Sequence, residues 1–362
     1  QRQMCIRDSG TTAEILSAAG YKVLLIEEGP LKTSDDFKMQ EADAYPTLYQ
    51  EGIGRMSKDG AITILQGRAV GGTTLINWTS SFRTPPQTLA HWAEVHGVKG
   101  HDVESMAPWF EQMEQRLGVA PWAVPPNANN EVLRSGCDTL GYHWAPIPRN
   151  VRGCWNLGYC GMGCPTNAKQ SMLVTTIPAT LEAGGELLYL ARADKLLIEG
   201  DKVVGIDCLG MDERCVAPNG KRIRVKARHY VLAGGGINTP GILLRSNVPD
   251  PHQRVGRRTY LHLANFSAAQ FEQVINPFYG APQSVYSDHF QWDDGTGGRL
   301  SYKLEVPPLQ PALTATLLGD FGRENALRMA QLPHTNVMLA LLRDGFHEDL
   351  SLIHISEPTR PR

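Results

Sequence analysis

The stretch that most limits the folds open to this chain is Gly67-Arg68-Ala69-Val70-Gly71-Gly72-Thr73-Thr74-Leu75-Ile76-Asn77-Trp78. Two adjacent glycines free the backbone from the limits a Cβ imposes, and the two hydroxyls that follow add O–H groups. A tight loop of this kind presents many donors at one place, which suits phosphate oxygens. Arg68 can either add charge there or anchor the loop. Taken alone, Gly-Gly-Thr-Thr reads more simply as a glycine turn before a buried strand.

A second feature lies upstream. Residues 11–19 read as a short helix closed by Gly20. Residues 21–26 form an apolar run ending in Glu27-Glu28-Gly29-Pro30, which reads as a buried strand and a turn. A helix and a strand in that order make the second half of a βαβ unit. In a dinucleotide-binding unit, glycines at the helix start admit a pyrophosphate, and an acid about 20 residues on accepts from ribose hydroxyls. Gly10 stands where the last such glycine would be and Glu27 where the acid would be. Any helix–strand pair that ends in acidic residues gives the same pattern.

Further along, residues 31–62 read as a polar excursion with weak helical character. Residues 87–118 carry helical periodicity, with Trp92, Val95, Met106, Trp109, Phe110 and Met113 on apolar faces. A Cys/Gly loop over 153–171 leads into a helix over 171–183. Strands follow at 187–190 and 195–199, and 203–209 continues the ribbon. The alternation at 223–232 reads as one more strand before Gly234-Gly235-Gly236, and residues 239–245 begin a helix. Beyond 248 the pattern changes to longer mixed strands and polar loops.

Composition removes several classes. The chain is 42% hydrophobic and 20% charged with a formal net charge of −2, so nothing electrostatic favours nucleic acid or an anionic membrane as partner. No apolar run approaches the roughly 20 residues a membrane span requires. An odd count of seven cysteines makes a poor disulfide framework. Cys154, Cys160 and Cys164 cluster but contain no Cys-x-x-Cys pair and lack a nearby fourth thiolate. Packed, reduced thiols are therefore favoured over a metal or iron–sulfur site, and no metal ligand is assigned. Cys208 and Cys215 read as a chance pair. His262, His289, His334 and His347 are scattered, and a scattered histidine is usually structural. The expected location is cytoplasmic or membrane-associated.

The two ends carry a signature of another kind. Met4-Cys5-Ile6-Arg7-Asp8-Ser9 and Leu350-Ser351-Leu352-Ile353-His354-Ile355 can be encoded by one DNA string read in opposite orientations. That string resembles an adapter used in transposon-based library preparation. Residues 1–9 and 350–362 are accordingly expected to be adapter-derived tails and are set aside from fold reasoning. The natural segment is expected to be 10–349, cut at both ends, with the first strand of the βαβ unit missing.

Over its full length the glycine-rich string resembles a signature of the glucose–methanol–choline oxidoreductases, GRxLGGSSxxN, with Val for Leu and Thr-Thr for Ser-Ser. Other stretches match that family in order. Residues 23–29 look like its second strand, with Glu27 and Glu28 at the ribose end. Arg83-Thr84-Pro85-Pro86 and Trp92 resemble the segment after the loop. Residues 160–171 are similar to the cysteine-containing version in long-chain-alcohol-oxidising and choline-dehydrogenase-like members. Ala191-Arg192-Ala193 resembles the strand that pairs with adenine, with Ala193 in the usual Val position. Residues 231–244 look like the second signature, GAxxTPxLLxxSG, through Ala233, Gly234 and Thr239. Val255-Gly256-Arg257 and His262 follow at the familiar interval.

The resemblance implies an α/β fold with a Rossmann-like FAD-binding domain, a parallel sheet and a β-ribbon insertion, plus a partial α+β substrate domain on an antiparallel sheet. It divides the chain into a first FAD-binding part over 10–86, a helical or cap insertion over 87–152, a second FAD-binding part over 153–247, and a partial substrate domain over 248–349. FAD is the implied cofactor, contacted by Gly10, Glu27, Glu28, Gly67, Arg68, Gly71, Gly72, Thr73, Thr74, Asn77, Trp78, Ala193, Ala233, Gly234 and Thr239. The implied reaction passes a hydride from the carbinol carbon of a small-molecule alcohol to flavin N5, with oxygen, quinone or cytochrome left open as acceptor. The family's catalytic histidine sits in a His-Pro-x-Gly-Thr-like segment that nothing after His262 matches, so no catalytic residue is assigned. A flavin lyase on the same scaffold, or a piece unable to hold FAD, are the alternatives.

Overall fold

Helix α1 (Cys5–Ala18) and strand β1 (Leu24–Ile26) form the helix–strand pair, with Gly20 turning between them at φ 84°. The computed structural model describes residues 5–257, 261, 263–293, 295–296 and 301–343. His262, His347 and the 350–362 tail lie outside the described residues. Helix α2 (Glu41–Leu48) falls in the polar excursion. The glycine-rich string ends in a single helical turn, α3 (Thr73–Ile76), and not in the buried strand that Gly-Gly-Thr-Thr alone suggests. Gly71 and Gly72 adopt φ 96° and 54°, a bend that a side chain would resist. The Thr74 hydroxyl then bonds the Gly71 carbonyl at 2.5 Å and fixes the turn.

Helices α4 (Pro86–His96) and α5 (Val103–Leu117) occupy the periodic stretch. Pro86 sits in the first turn of α4, Asp102 caps α5 by accepting from the Ser105 N–H at 2.9 Å, and left-handed Gly97 and Gly118 close the two helices. Met113 packs in a core cluster with Val70, Leu117, Met172 and Ile177. Val95 and Trp109 do not join a core: each is 62% exposed, because no described element covers their side of the helices. Strand β2 (Val119–Pro121), helix α6 (Ala128–Leu140) and strands β3 (Ala145–Pro146) and β4 (Pro148–Asn150) follow, β2 pairing with β4.

Helix α7 (Thr176–Glu182) starts later than residue 171 because the four residues before it form a turn, in which the Thr74 hydroxyl accepts the Met172 N–H at 3.0 Å. Strand β5 (Glu186–Leu188) then pairs parallel with β1, Leu25 opposite Leu187. Strands β6 (Ala191–Glu199), β7 (Lys202–Met211) and β8 (Pro218–Val225) form the expected antiparallel ribbon. The strand expected through 232 stops at Val225. Beyond it the Ala227 N–H bonds the Tyr230 hydroxyl in a local turn, and no described strand pairs with the segment. Helix α8 (Gly235–Arg245) starts four residues earlier than residue 239.

The remainder adds strands β9 (Ala264–Gln270), β10 (Val285–Ser287) and β11 (Tyr302–Glu305), helices α9 (Pro311–Leu317) and α10 (Gly322–Met329), and strand β12 (Thr335–Leu342). These strands and β3 make an antiparallel sheet in the order β3-β10-β11-β12-β9. Helix α6 lies on it, with Leu133 and Cys137 packed against Val285 and Val306. The fold is thus α/β, with one parallel pair and an antiparallel ribbon and sheet. Among the described residues no helix is long and apolar enough to cross a membrane.

Candidate functional site

The 67–77 loop lies directly on the end of β1. A Cβ placed on Gly29 would sit 2.4 Å from the Arg68 carbonyl carbon and oxygen, and the Val70 N–H bonds the Pro30 carbonyl at 3.0 Å. The loop also folds on itself: a Cβ on Gly67 would come within 2.6 Å of the Gly72 carbonyl, and the Gly67 N–H bonds the Thr73 hydroxyl at 3.1 Å. Glycine is required at both places by approach of backbone to backbone. Under the loop, Leu75 and Ile76 pack with Phe37, Leu48, Tyr49 and Met162.

Of the two roles open to Arg68, the structure shows the anchor. Its side chain is 8% exposed and its Nη1 donates to the Cys215 carbonyl at 2.7 Å, tying the loop to the β7–β8 turn. The Cys215 thiol in turn donates to the Glu28 carbonyl at 3.4 Å. Cys215, read from sequence as half of a chance pair, is therefore a structural partner of this site, and no sequence spacing signals it. Asn77 is buried at the far end of the loop. Its carbonyl accepts the Lys169 ammonium at 2.7 Å and its Oδ1 accepts the Thr79 N–H.

Glu27 stands at the tip of β1, held by a 2.9 Å bond from its N–H to the Leu188 carbonyl. Its Oε1 accepts the Gly29 N–H at 2.8 Å. Burial lifts its carboxyl from the ordinary 4.5 to about 7; the Gly29 bond opposes that lift, Glu28 adds to it, and Arg68 opposes it. A half-buried acid in such a state favours a ligand that donates hydrogen bonds to its charged form.

The loop's own donors point the same way. Among the described residues, the N–H groups of Gly71, Thr73 and Thr74 donate to no acceptor, although Gly71 and Thr74 are buried. Buried backbone donors are seldom left unpaired, so this bend suits an anion with several acceptor oxygens. A diphosphate–ribose group fits the set: oxygens for the loop, hydroxyls for Glu27.

The other sequence-derived residues stand at varied distances from this centre. Gly10 faces α7, where a Cβ would meet the Thr176 hydroxyl at 2.4 Å, so it serves the close crossing of α1 and α7. Ala193 sits opposite Cys208 in the ribbon, two residues from Ala191, whose N–H bonds the Glu27 carbonyl at 3.0 Å. Ala233, Gly234 and Thr239 lie at the start of α8. That turn is joined to the loop through Arg55, whose Nη1 donates both to Gln66 at 2.7 Å and to Asn238 at 3.1 Å. Trp78 follows the loop and lines a narrow apolar cavity with Tyr45, Ile53, Leu65, Met162 and Leu313. Tyr49, also in that wall, donates its hydroxyl to the Gly161 carbonyl at 2.7 Å.

Two of the histidines singled out by sequence, His289 and His334, make their contacts away from the loop. His289 stacks on Tyr142 at 4.4 Å, and His334 Nδ1 lies 3.2 Å from the Gln273 carbonyl. Among the described residues no group of His, Cys, Asp and Glu side chains is placed to hold a metal ion.

The chain is similar to known proteins. The sequence model of the family described as GMC oxidoreductase matches residues 45–264. An uncharacterized GMC-type oxidoreductase of Mycobacterium tuberculosis is 30% identical over 92% of this chain and 51% of its own length. A long-chain-alcohol oxidase of Arabidopsis thaliana is also 30% identical, over 92% of this chain and 46% of its own length. The chain thus spans about half the length of the curated relatives it matches. Among solved structures, formate oxidase of Aspergillus oryzae superposes with a TM-score of 0.65 at 10% identity, covering 94% of this chain and 71% of that one. Pyridoxine 4-oxidase from "Mesorbium loti" gives 0.60 at 15% identity, covering 91% and 68%. At those identities the likeness is one of fold.

Proposed function

The chain belongs to the GMC oxidoreductase family, and on that premise we propose that it is the FAD-binding part of an enzyme that oxidises the CH–OH group of a small-molecule alcohol to a carbonyl. FAD, when bound, supplies the hydride acceptor at its N5. The protein's own groups bind and orient. Glu27 accepts from the ribose hydroxyls. The N–H groups of Gly71, Thr73 and Thr74 donate to the diphosphate. Arg68 holds that loop in place from below through Cys215, and Gly29 keeps it seated on β1. Ala193 and the 233–239 turn would contact the cofactor beyond the acid, and Asn77 and Trp78 would meet it at the far end of the loop.

The space beside Trp78, walled by Ile53, Leu65, Met162 and Leu313, is too small to seat an alcohol, so the choice of an apolar-chain substrate rests on the relatives alone. The long-chain-alcohol oxidases of Arabidopsis thaliana among the relatives are in keeping with that choice. The observation that carries the proposal is the triad of unaccepted N–H groups on a loop locked to an acid-tipped strand. The test is anaerobic mixing of the FAD-loaded whole protein, including the segment that carries its catalytic histidine, with primary alcohols of increasing chain length. Bleaching of the flavin spectrum with carbonyl formation is expected, faster for longer chains. Binding of FAD with no bleaching by any alcohol would overturn the substrate class, and carbonyl release without bleaching would overturn the redox chemistry.

A further inference from the structure

Two cations are buried behind the loop with no acidic side chain beside them. Arg149 is 0% exposed and Lys169 2% exposed, and neither pairs with an Asp or Glu among the described residues. Lys169 Nζ donates to the Asn77 and Cys160 carbonyls, at 2.7 Å each. Arg149 donates from Nη1 to the Pro282 carbonyl and lies over the Trp122 ring, while its buried Nε finds no partner. Carbonyl dipoles solvate a buried cation only in part, and an uncompensated buried charge is costly. The groups here able to carry negative charge are thiols. Arg149 Nη2 reaches Cys160 Sγ at 3.7 Å. Cys164 Sγ accepts the Lys169 N–H at 3.4 Å and lies 3.5 Å from the Thr166 hydroxyl. Both sulfurs belong to partly exposed residues, whereas Cys137, Cys208 and Cys215 are buried.

We infer that Cys164, lying with Cys160 against buried Arg149 and Lys169, is a nucleophilic site that reacts with soft electrophiles, hydrogen peroxide among them. Its neighbours agree on the charge. Burial alone would push the Cys164 thiol up, but the Thr166 and Lys169 hydrogen bonds and the Lys169 charge outweigh burial and hold it below its ordinary value. Burial likewise pulls Lys169 down to about 8, Cys160 and Cys164 resist that pull, and Arg149 adds to it. Cys154, in the same loop, takes one backbone N–H, and burial raises its thiol. With peroxide, the Cys164 thiolate attacks one oxygen: the S–O bond forms and the O–O bond breaks. Sulfur is oxidised by two electrons to a sulfenic acid, and the other oxygen leaves as hydroxide. The inference stands apart from the flavin chemistry, since it uses only groups of the folded chain.

The test is iodoacetamide labelling of the purified protein across pH, with each cysteine read by peptide mass. At pH 7 Cys164 is expected to label several-fold faster than Cys154, since hydrogen bonds hold the one thiol down while burial holds the other up. Thr166→Val and Lys169→Met should each move the Cys164 labelling midpoint to higher pH. If Lys169→Met does not fold, Thr166→Val decides, because Thr166 is partly exposed and removes only one hydroxyl at the sulfur. A dimedone adduct after peroxide treatment should appear at Cys164 before any other cysteine. Labelling of Cys164 no faster than Cys154, or a midpoint unmoved in Thr166→Val, would overturn the inference.

Discussion

Replacing Glu27 by Gln separates what this acid does for the fold from what it does for a ligand. In the folded chain burial lifts its carboxyl from 4.5 to about 7. At about 1.4 kcal/mol for each tenfold change in proton affinity, the charged form costs the fold at most about 3 kcal/mol. The figure is a ceiling because Glu27 keeps part of its surface open. Since the folded value is the higher one, the stability the protonated acid contributes is complete below 4.5 and is lost as pH rises through about 7. Glu27→Gln is neutral at every pH. Without cofactor, the variant should match the parent near pH 4.5 and be the more stable by up to about 3 kcal/mol at pH 8. The assay is urea unfolding of both proteins at half-unit pH steps, read as the difference between the two profiles, so that every other titrating group cancels. With FAD present that gap should narrow or close above pH 7, because only the parent gains the ribose hydrogen bonds. Ribose hydroxyls donating to a charged carboxylate are worth about 1.5–3 kcal/mol, or roughly ten- to a hundredfold in FAD affinity. Parallel stability profiles between pH 5 and 8 would refute the burial argument, and unchanged FAD affinity would refute the ribose assignment.

Three further substitutions probe the supports of the site. Gly29→Ala puts a methyl 2.4 Å from the Arg68 carbonyl, so the loop must lift from β1; a loss of about 1–3 kcal/mol by chemical unfolding is expected, with weaker FAD retention. Tyr49→Phe leaves the Gly161 carbonyl without its buried donor and should cost about 1–3 kcal/mol while the volume stays nearly constant. Trp109→Ser, at a residue 62% exposed, should change stability by no more than about 0.5 kcal/mol, measured the same way.

What sequence could and could not reveal follows from the range of each interaction. The loop's bend was legible because Gly71 and Gly72 supply positive φ locally, and β1 with its terminal acid because four apolar residues, Val23 to Ile26, end at Glu27. The ribbon was legible because its turns and alternation lie within one stretch of chain. Periodicity gave a strand at 223–232 that stops at Val225, since alternation marks a competent segment while pairing needs a neighbour at its edge. Helical periodicity placed Trp109 on an apolar face, but whether that face is covered depends on elements far away in sequence. The same holds for β3, an edge of the antiparallel sheet through its pairing with β10 some 140 residues on, as Tyr286 meets Ala145. Arg68 is hardest of all: its identity is plain, yet its carbonyl partner on Cys215 is set by how the β7–β8 turn folds against the loop.

The most direct measurement is calorimetric titration of the purified chain with FAD, beside Thr74→Val and Gly72→Val. Gly72 takes φ 54°, so valine there distorts the bend, while Thr74→Val removes the hydroxyl that pins Gly71 and Met172. If this loop holds the diphosphate, the parent binds FAD, both variants lose affinity by tenfold or more (about 1.4 kcal/mol), and riboflavin, which lacks the diphosphate, binds far more weakly to all three. Equal FAD affinity in the parent and both variants would contradict the assignment of the loop.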